Sequence, residues 1–185
     1  MLKNVIVQAK PLLSSSWDIE NTIRLINTNL SVILEKTNHK WEKTRKGYII
    51  VKKEIAVSEA IECLEDGSEN LAHSIMEYNW ILLAGNLDRK REILLNIASY
   101  VEPWKQEIKG SIFFPLYTSS RELVNKLDIR HNNTGKGSIP EYAQKWTKAD
   151  FEKWYDKTYH TLLMVILSRK QLTIMQEMNK LKSGK

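Results

Sequence analysis

The sequence predicts an all-α fold, a single-domain helical bundle of about five to six helices with one short strand or hairpin near residues 47–52. Three observations carry this. Apolar residues recur at steps of three and four along most of the 185-residue chain, the period of one helix face. The four prolines and seven glycines are few and scattered, so little interrupts helical backbone. Three candidate helix starts also carry a capping residue followed three places on by an acid: Asp66 with Glu69, Ser119 with Glu122, and Thr147 with Asp150.

Taken in order, residues 1–16 combine Pro11 with Ser14, Ser15 and Ser16 and read as a loosely ordered lead-in to one domain over 17–185. From Trp17 the stripe Ile19, Ile23, Ile26, Leu30, Ile33 and Leu34 predicts a helix to about Lys36. Gly47-Tyr48-Ile49-Ile50-Val51, between lysine clusters, is β-branched and short, and predicts a strand. Val57, Ala60, Ile61 and Leu64 share the face of a short helix stopped by Asp66-Gly67. Asp66 is expected to cap the next helix, which carries Leu71, Ala72, Ile75, Asn79 and Leu82 up to Gly85-Asn86. Ile93, Ile97, Val101, Trp104 and Ile108 mark a helix from about Leu87 to Lys109, which Pro103 should bend or divide and Gly110 should close. Ser119 is expected to start a short helix through Leu123 and Leu127 to about Ile129. Residues 130–147 have no sustained period and read as a loop, at a length where loops are often functional. Thr147 and Asp150 then cap the longest helix, with Phe151, Trp154, Tyr155, Leu162, Leu163, Ile166, Leu167, Ile174, Met175 and Met178 on its stripe.

Composition excludes several classes. The single cysteine, Cys63, rules out an internal disulfide, and beside Ala60, Ile61 and Leu64 it reads as a buried, inert thiol. No secretory leader and no long apolar run stand out, so the expectation is a cytoplasmic protein without a membrane partner. A formal net charge of +6 favours polyanions, although part of the excess sits in Lys180, Lys182 and Lys185 and in the run Lys40, Lys43, Arg45 and Lys46, where charge is ordinarily just solvated.

Phosphate-binding glycine motifs are missing, since Thr134-Gly135-Lys136-Gly137 follows no strand. His39, His73, His131 and His160 are dispersed, so no metal and no cofactor is expected, and there is no nucleophile elbow. What remains is Ile129-Arg130-His131-Asn132-Asn133 before the last helix. A permanent cation, a group titrating near neutral pH and two amides are what RNA cleavage needs: histidine moves a proton at the 2′-hydroxyl or the leaving oxygen, and arginine stabilises phosphate charge. The same residues are also ordinary helix-ending and turn material. Trp154, Tyr155 and Tyr159 fit a base-stacking surface or, more commonly for an inner stripe, a core.

Tyr100-Val101-Glu102 on one helix, Ile129-Arg130-His131 after a short helix, then a loop and a long terminal helix beginning Asp150-Phe151-Glu152-Lys153-Trp154-Tyr155-Asp156-Lys157-Thr158-Tyr159 form an order that resembles the HEPN superfamily. The likeness is to the abortive-infection-type domains of bacterial phage defence, over roughly residues 55–175. The resemblance implies a metal-independent endoribonuclease or RNA-binding effector of phage defence or a toxin–antitoxin pair, a homodimer, and a protein partner from a neighbouring gene. It makes Arg130 and His131 the catalytic or RNA-contacting pair and Glu102 a supporting acid. Asn132, Asn133, Arg121, Lys126 and Lys136 are then the polar and basic residues placed to extend an RNA-binding face. The family's ribonucleases separate arginine and histidine by several residues, whereas here they are adjacent. Neighbours on a helix diverge by about 100°, so both face one cleft only where the helix ends between them. A non-catalytic helical module that binds a partner protein or nucleic acid, and a basic accessory protein that contacts nucleic acid by charge alone, are the alternative readings.

Overall fold

The computed structural model describes residues 16–44, 47–130 and 141–184. It is the mostly α-helical architecture expected from the sequence, with one small antiparallel hairpin. The chain divides into two compact units at Lys53–Glu54.

The first unit holds helix α1 (Ser16–Lys36) and strands β1 (His39–Thr44) and β2 (Gly47–Lys52). Asn38 ends the helix in the left-handed region, at φ 57°, which asparagine tolerates better than most residues. Its side-chain Nδ2 donates to the Lys53 carbonyl at 3.0 Å, closing the base of the hairpin. The strands pair from His39 opposite Lys52 to Thr44 opposite Gly47. Thus the lysine-rich run before the predicted strand is its partner, and Leu34 and Val51 are the buried apolar residues here. Of the expected lead-in, residues 1–15 lie outside the described residues, and Ser16 already belongs to α1.

The second unit is the bundle: α2 (Ile55–Glu62), α3 (Glu69–Tyr78), a 3-10 turn (Ile81–Leu83), α4 (Leu87–Val101), a 3-10 turn (Glu102–Trp104), the single-turn α5 (Lys105–Ile108), α6 (Phe114–Lys126), a 3-10 turn (Glu141–Ala143) and α7 (Lys148–Lys182). Ile75, Ile93, Ile97, Val101, Val124, Tyr159, Leu162 and Ile166 are almost wholly buried and make its core. The inner stripes of α4 and of the first part of α7 supply much of it, as periodicity predicts, whereas Ile174 and Met178, expected on the same stripe, are exposed because α7 runs on past the buried core. Pro103 acts as expected: α4 stops at Val101, and a tighter 3-10 turn carries the chain past the proline. Among the described residues no helix is long and apolar enough to cross a membrane.

Two of the three expected capping boxes are not formed. Ser68, not Asp66, precedes α3, and it makes no side-chain cap, because Gly67 at φ 85° turns the chain between Asp66 and the helix. Helix α6 starts five residues before Ser119, at Phe114, where Pro115 supplies a backbone already set for a first helical turn. The box at Thr147 and Asp150 is complete: Thr147 Oγ1 accepts from the Asp150 amide at 3.2 Å, and the Asp150 carboxylate accepts from the Thr147 amide at 2.9 Å.

Candidate functional site

Arg130 is placed by the way α6 ends. Asp128 takes the left-handed conformation at φ 53°, so that the Ile129 amide reaches back to the Val124 carbonyl at 3.1 Å and the Asp128 amide to Asn125 at 3.2 Å. This is a Schellman turn with aspartate in the place glycine usually holds. Ile129 and Val124, the two residues whose side chains meet across such a turn, are both fully buried. From α4, Arg91 Nη1 donates to the Ile129 carbonyl at 3.0 Å. The next residue, Arg130, is therefore held from upstream.

Its guanidinium meets Glu102. Arg130 Nη2 donates to Glu102 Oε2, and Arg121 Nη2, from α6, donates to Oε1 of the same carboxylate at 2.8 Å. The backbone of Glu102 is fixed as well, because its carbonyl accepts the Tyr117 hydroxyl at 2.9 Å. The end of α4, the middle of α6 and the turn after α6 thus converge on one carboxylate. Hydrogen bonding from Arg130, with the charge of Arg121 behind it, holds the Glu102 carboxyl below the usual glutamate range, so it is an anion at neutral pH. Two cations around one anion leave a surplus positive charge. Arg121 is 17% exposed and its Nη1 is buried with no hydrogen-bond partner among the described residues, while Arg130 is 34% exposed. Burial pushes the Tyr117 hydroxyl up, so it stays a neutral donor.

Three of the residues singled out in the sequence, Glu102, Arg121 and Arg130, are therefore together. Lys126 is not with them. It lies five residues beyond Arg121, about 140° around the helix. It pairs with Glu122 at 2.6 Å and helps line a cavity of about 400 Å³ with Ser119, Leu123, Leu127, Trp146 and Trp154. His131, Asn132, Asn133 and Lys136 lie outside the described residues. Tyr155 and Tyr159 are core, which removes them from any stacking surface; Trp154 is half-buried and stacked on Trp146 at 5.8 Å. His160 faces Glu54 at 3.3 Å, and Cys63 is partly buried with its thiol pushed up by that burial.

No family model matches the chain, nor does any curated protein or solved structure.

A second polar cluster escaped sequence reasoning. Lys90, on α4, is 8% exposed and donates to Glu152 at 2.9 Å and to Asp156 at 2.8 Å, both on α7. The Tyr78 hydroxyl donates to the same Asp156 oxygen at 2.9 Å, and the Gly85 amide to Glu152 at 2.8 Å. That amide, followed by Lys90, lowers the Glu152 pKa. Burial and then Asp156 drive the Tyr78 hydroxyl far above its ordinary range. The Tyr78 ring stacks on Tyr159 at 4.0 Å. A signal was present: Lys90 precedes Ile93, Leu94 and Ile97 by three, four and seven residues, which puts it on the inner stripe of α4.

Proposed function

We propose that the chain is an RNA-directed effector of the HEPN-like kind, acting in prokaryotic phage defence or a toxin–antitoxin pair, with Arg130 and His131 at its working centre. The observation that supports this is the convergence of Arg121 and Arg130 on Glu102, which leaves a net positive charge at a cluster whose Arg130 immediately precedes His131 in the chain. Arg130 contacts the phosphate. His131 takes the proton from the ribose 2′-hydroxyl as that oxygen bonds to phosphorus, and a second proton transfer, from His131 or solvent, neutralises the departing 5′-oxygen. No metal is required for that sequence of bonds. Glu102 is a positioning residue: as an anion it orients both guanidiniums and is not an acid for the leaving group. Asn132, Asn133 and Lys136 extend the contact with RNA; a homodimer follows from the resemblance, and a cytoplasmic location from the composition of the sequence.

The same geometry favours one other reading. Because Glu102 already accepts from both arginines, the pair also fits a structural clamp in a non-catalytic helical module that binds a protein or nucleic acid. Transfer RNA and total RNA incubated in EDTA with the wild type, Arg130→Ala and His131→Ala separate the two. The RNA effector predicts cleavage that both variants lose, with binding retained by His131→Ala and weakened at least ~10-fold in Arg130→Ala. Cleavage indifferent to both substitutions would sink the catalytic assignment. Loss of folding in Arg130→Ala, read by circular dichroism, would instead mark the clamp as structural.

A further inference from the structure

The hairpin of the first unit has two unlike faces. Side chains alternate along each strand, and the cross-strand register puts His39 beside Lys52, Trp41 beside Ile50 and Lys43 beside Tyr48 on one face, with Lys40, Glu42, Ile49 and Val51 on the other. Val51, 3% exposed, marks the second face as the inner one. On the outer face Trp41 is 36% exposed and Tyr48 49%, Lys43 and Lys52 are exposed, and Ile50 is half-buried. Charge is as unevenly divided. Residues 39–53 carry Lys40, Lys43, Arg45, Lys46, Lys52 and Lys53 against one acid, Glu42, so this segment holds most of the chain's formal surplus of +6. Glu42 pairs with Lys40 at 2.5 Å, on the inner face. None of the paired residues of the outer face is acidic.

We propose that this outer face binds single-stranded nucleic acid, with Trp41 and Tyr48 as base-stacking platforms and Lys43 and Lys52 against the phosphates. Trp41 and Tyr48 are diagonal neighbours across the strands, roughly 7–8 Å apart, a spacing that suits successive bases of an extended strand. Every base has a π-face, so such a platform tolerates sequence, and lysine attracts the backbone as a point charge. The make-up of the face selects this occupant over two others. A two-stranded ribbon can enter the major groove of a duplex, but base edges there are read by amides and guanidiniums, which this face lacks, and paired bases offer an aromatic ring no face to stack on. A membrane surface calls for a continuous apolar face with cations opposite, whereas here Lys43 lies beside Tyr48 and two residues along the strand from Trp41. The site lies outside residues 55–175, which carry the family resemblance, and holds whether or not the bundle cleaves RNA.

Fluorescence anisotropy of the full chain with a labelled deoxythymidine dodecamer tests it. That probe has no 2′-hydroxyl, so the cleavage chemistry proposed for the bundle does not consume it. Trp41→Val and Tyr48→Thr keep strand-favouring residues and each remove a ring; both are expected to weaken binding at least ~5-fold. Trp41→Phe and Tyr48→Phe keep a ring and are expected to stay within about 2-fold of wild type. Lys43→Gln with Lys52→Gln should flatten the double-logarithmic salt slope by about 1.4. In the ring variants, an unchanged rate of trypsin cleavage at the hairpin lysines checks that the strands remain paired. Affinity indifferent to loss of either ring, a duplex of the same length bound as tightly, or a loss of affinity seen only where trypsin resistance is also lost would overturn the proposal. So would sedimentation with phosphatidylserine vesicles by a chain that leaves the oligonucleotide unbound, which is the membrane result.

Discussion

Two ion clusters tie α4 to later parts of the bundle, and they are built with opposite surpluses. At one, a single buried amine, Lys90, serves two carboxylates, Glu152 and Asp156, with Tyr78 and the Gly85 amide taking up further acceptor capacity. At the other, a single carboxylate, Glu102, serves two guanidiniums, and a nitrogen of Arg121 has no partner among the described residues. The first cluster is closed around its cation and crosslinks three helices. The second retains donors and positive charge at a partly exposed arginine. An ion cluster becomes a binding feature through what its internal partners leave unspent, more than through the number of its bonds.

The largest effect is expected at the closed cluster. Lys90→Met keeps the side-chain length and removes the charge, leaving Glu152 and Asp156 facing each other; the loss should be on the order of 3 kcal/mol, at the low end for orphaning a buried pair because Asp156 is partly exposed. Urea denaturation reads it, and RNA affinity of the folded variant should not move. A loss below ~1 kcal/mol would place this cluster among ordinary surface pairs.

The acid limb of stability comes next. Glu152 is held below its ordinary pKa, so its contribution is complete above the unfolded value of about 4.3 and is lost as pH falls through the lower folded value. Glu152→Gln should therefore flatten the stability profile below about pH 4.5 while lowering the plateau near neutrality by on the order of 1 kcal/mol. Thermal melts across that range measure both, and a profile parallel to wild type would show that Glu152 does not carry the acid limb.

Smallest in stability, and most telling for function, is Glu102→Gln. Its side chain is 44% exposed, so solvent screening keeps the loss under ~1 kcal/mol. Releasing both guanidiniums adds one uncompensated charge, and the salt dependence of RNA binding should steepen by about one counterion. An unchanged salt slope would mean that RNA does not touch this cluster.

The two clusters also differ in how far sequence could reveal them. Glu102 was reached only through family resemblance, since nothing local links it to residues 19 and 28 places on. Lys90 was readable from its place on the α4 stripe but hidden inside Asp88-Arg89-Lys90-Arg91-Glu92, where charge on every residue imitates a solvated face. Helices were the legible part, because a 3.6-residue period survives in any tertiary context. Their starts were not, because the box spacing is a condition that three sites satisfied and only Thr147 used. At the others a glycine turn and a proline set the backbone first. The strand His39–Thr44 was hidden for a similar reason: Lys40 and Lys43 were read as solvated charge before they were read as part of a strand.

The turn at Asp128 and Ile129 fixes Arg130 from the residues that precede it, through a buried isoleucine and a carbonyl gripped by Arg91. Ancestry can therefore edit the chain downstream of Arg130, in length or in composition, without moving the guanidinium, while a single change at Ile129 or Val124 would shift it. Variation among descendants of this sequence should be scarce at Val124 and Ile129, which set the turn, and abundant only beyond the residues from His131 to Lys136 that are proposed to meet RNA.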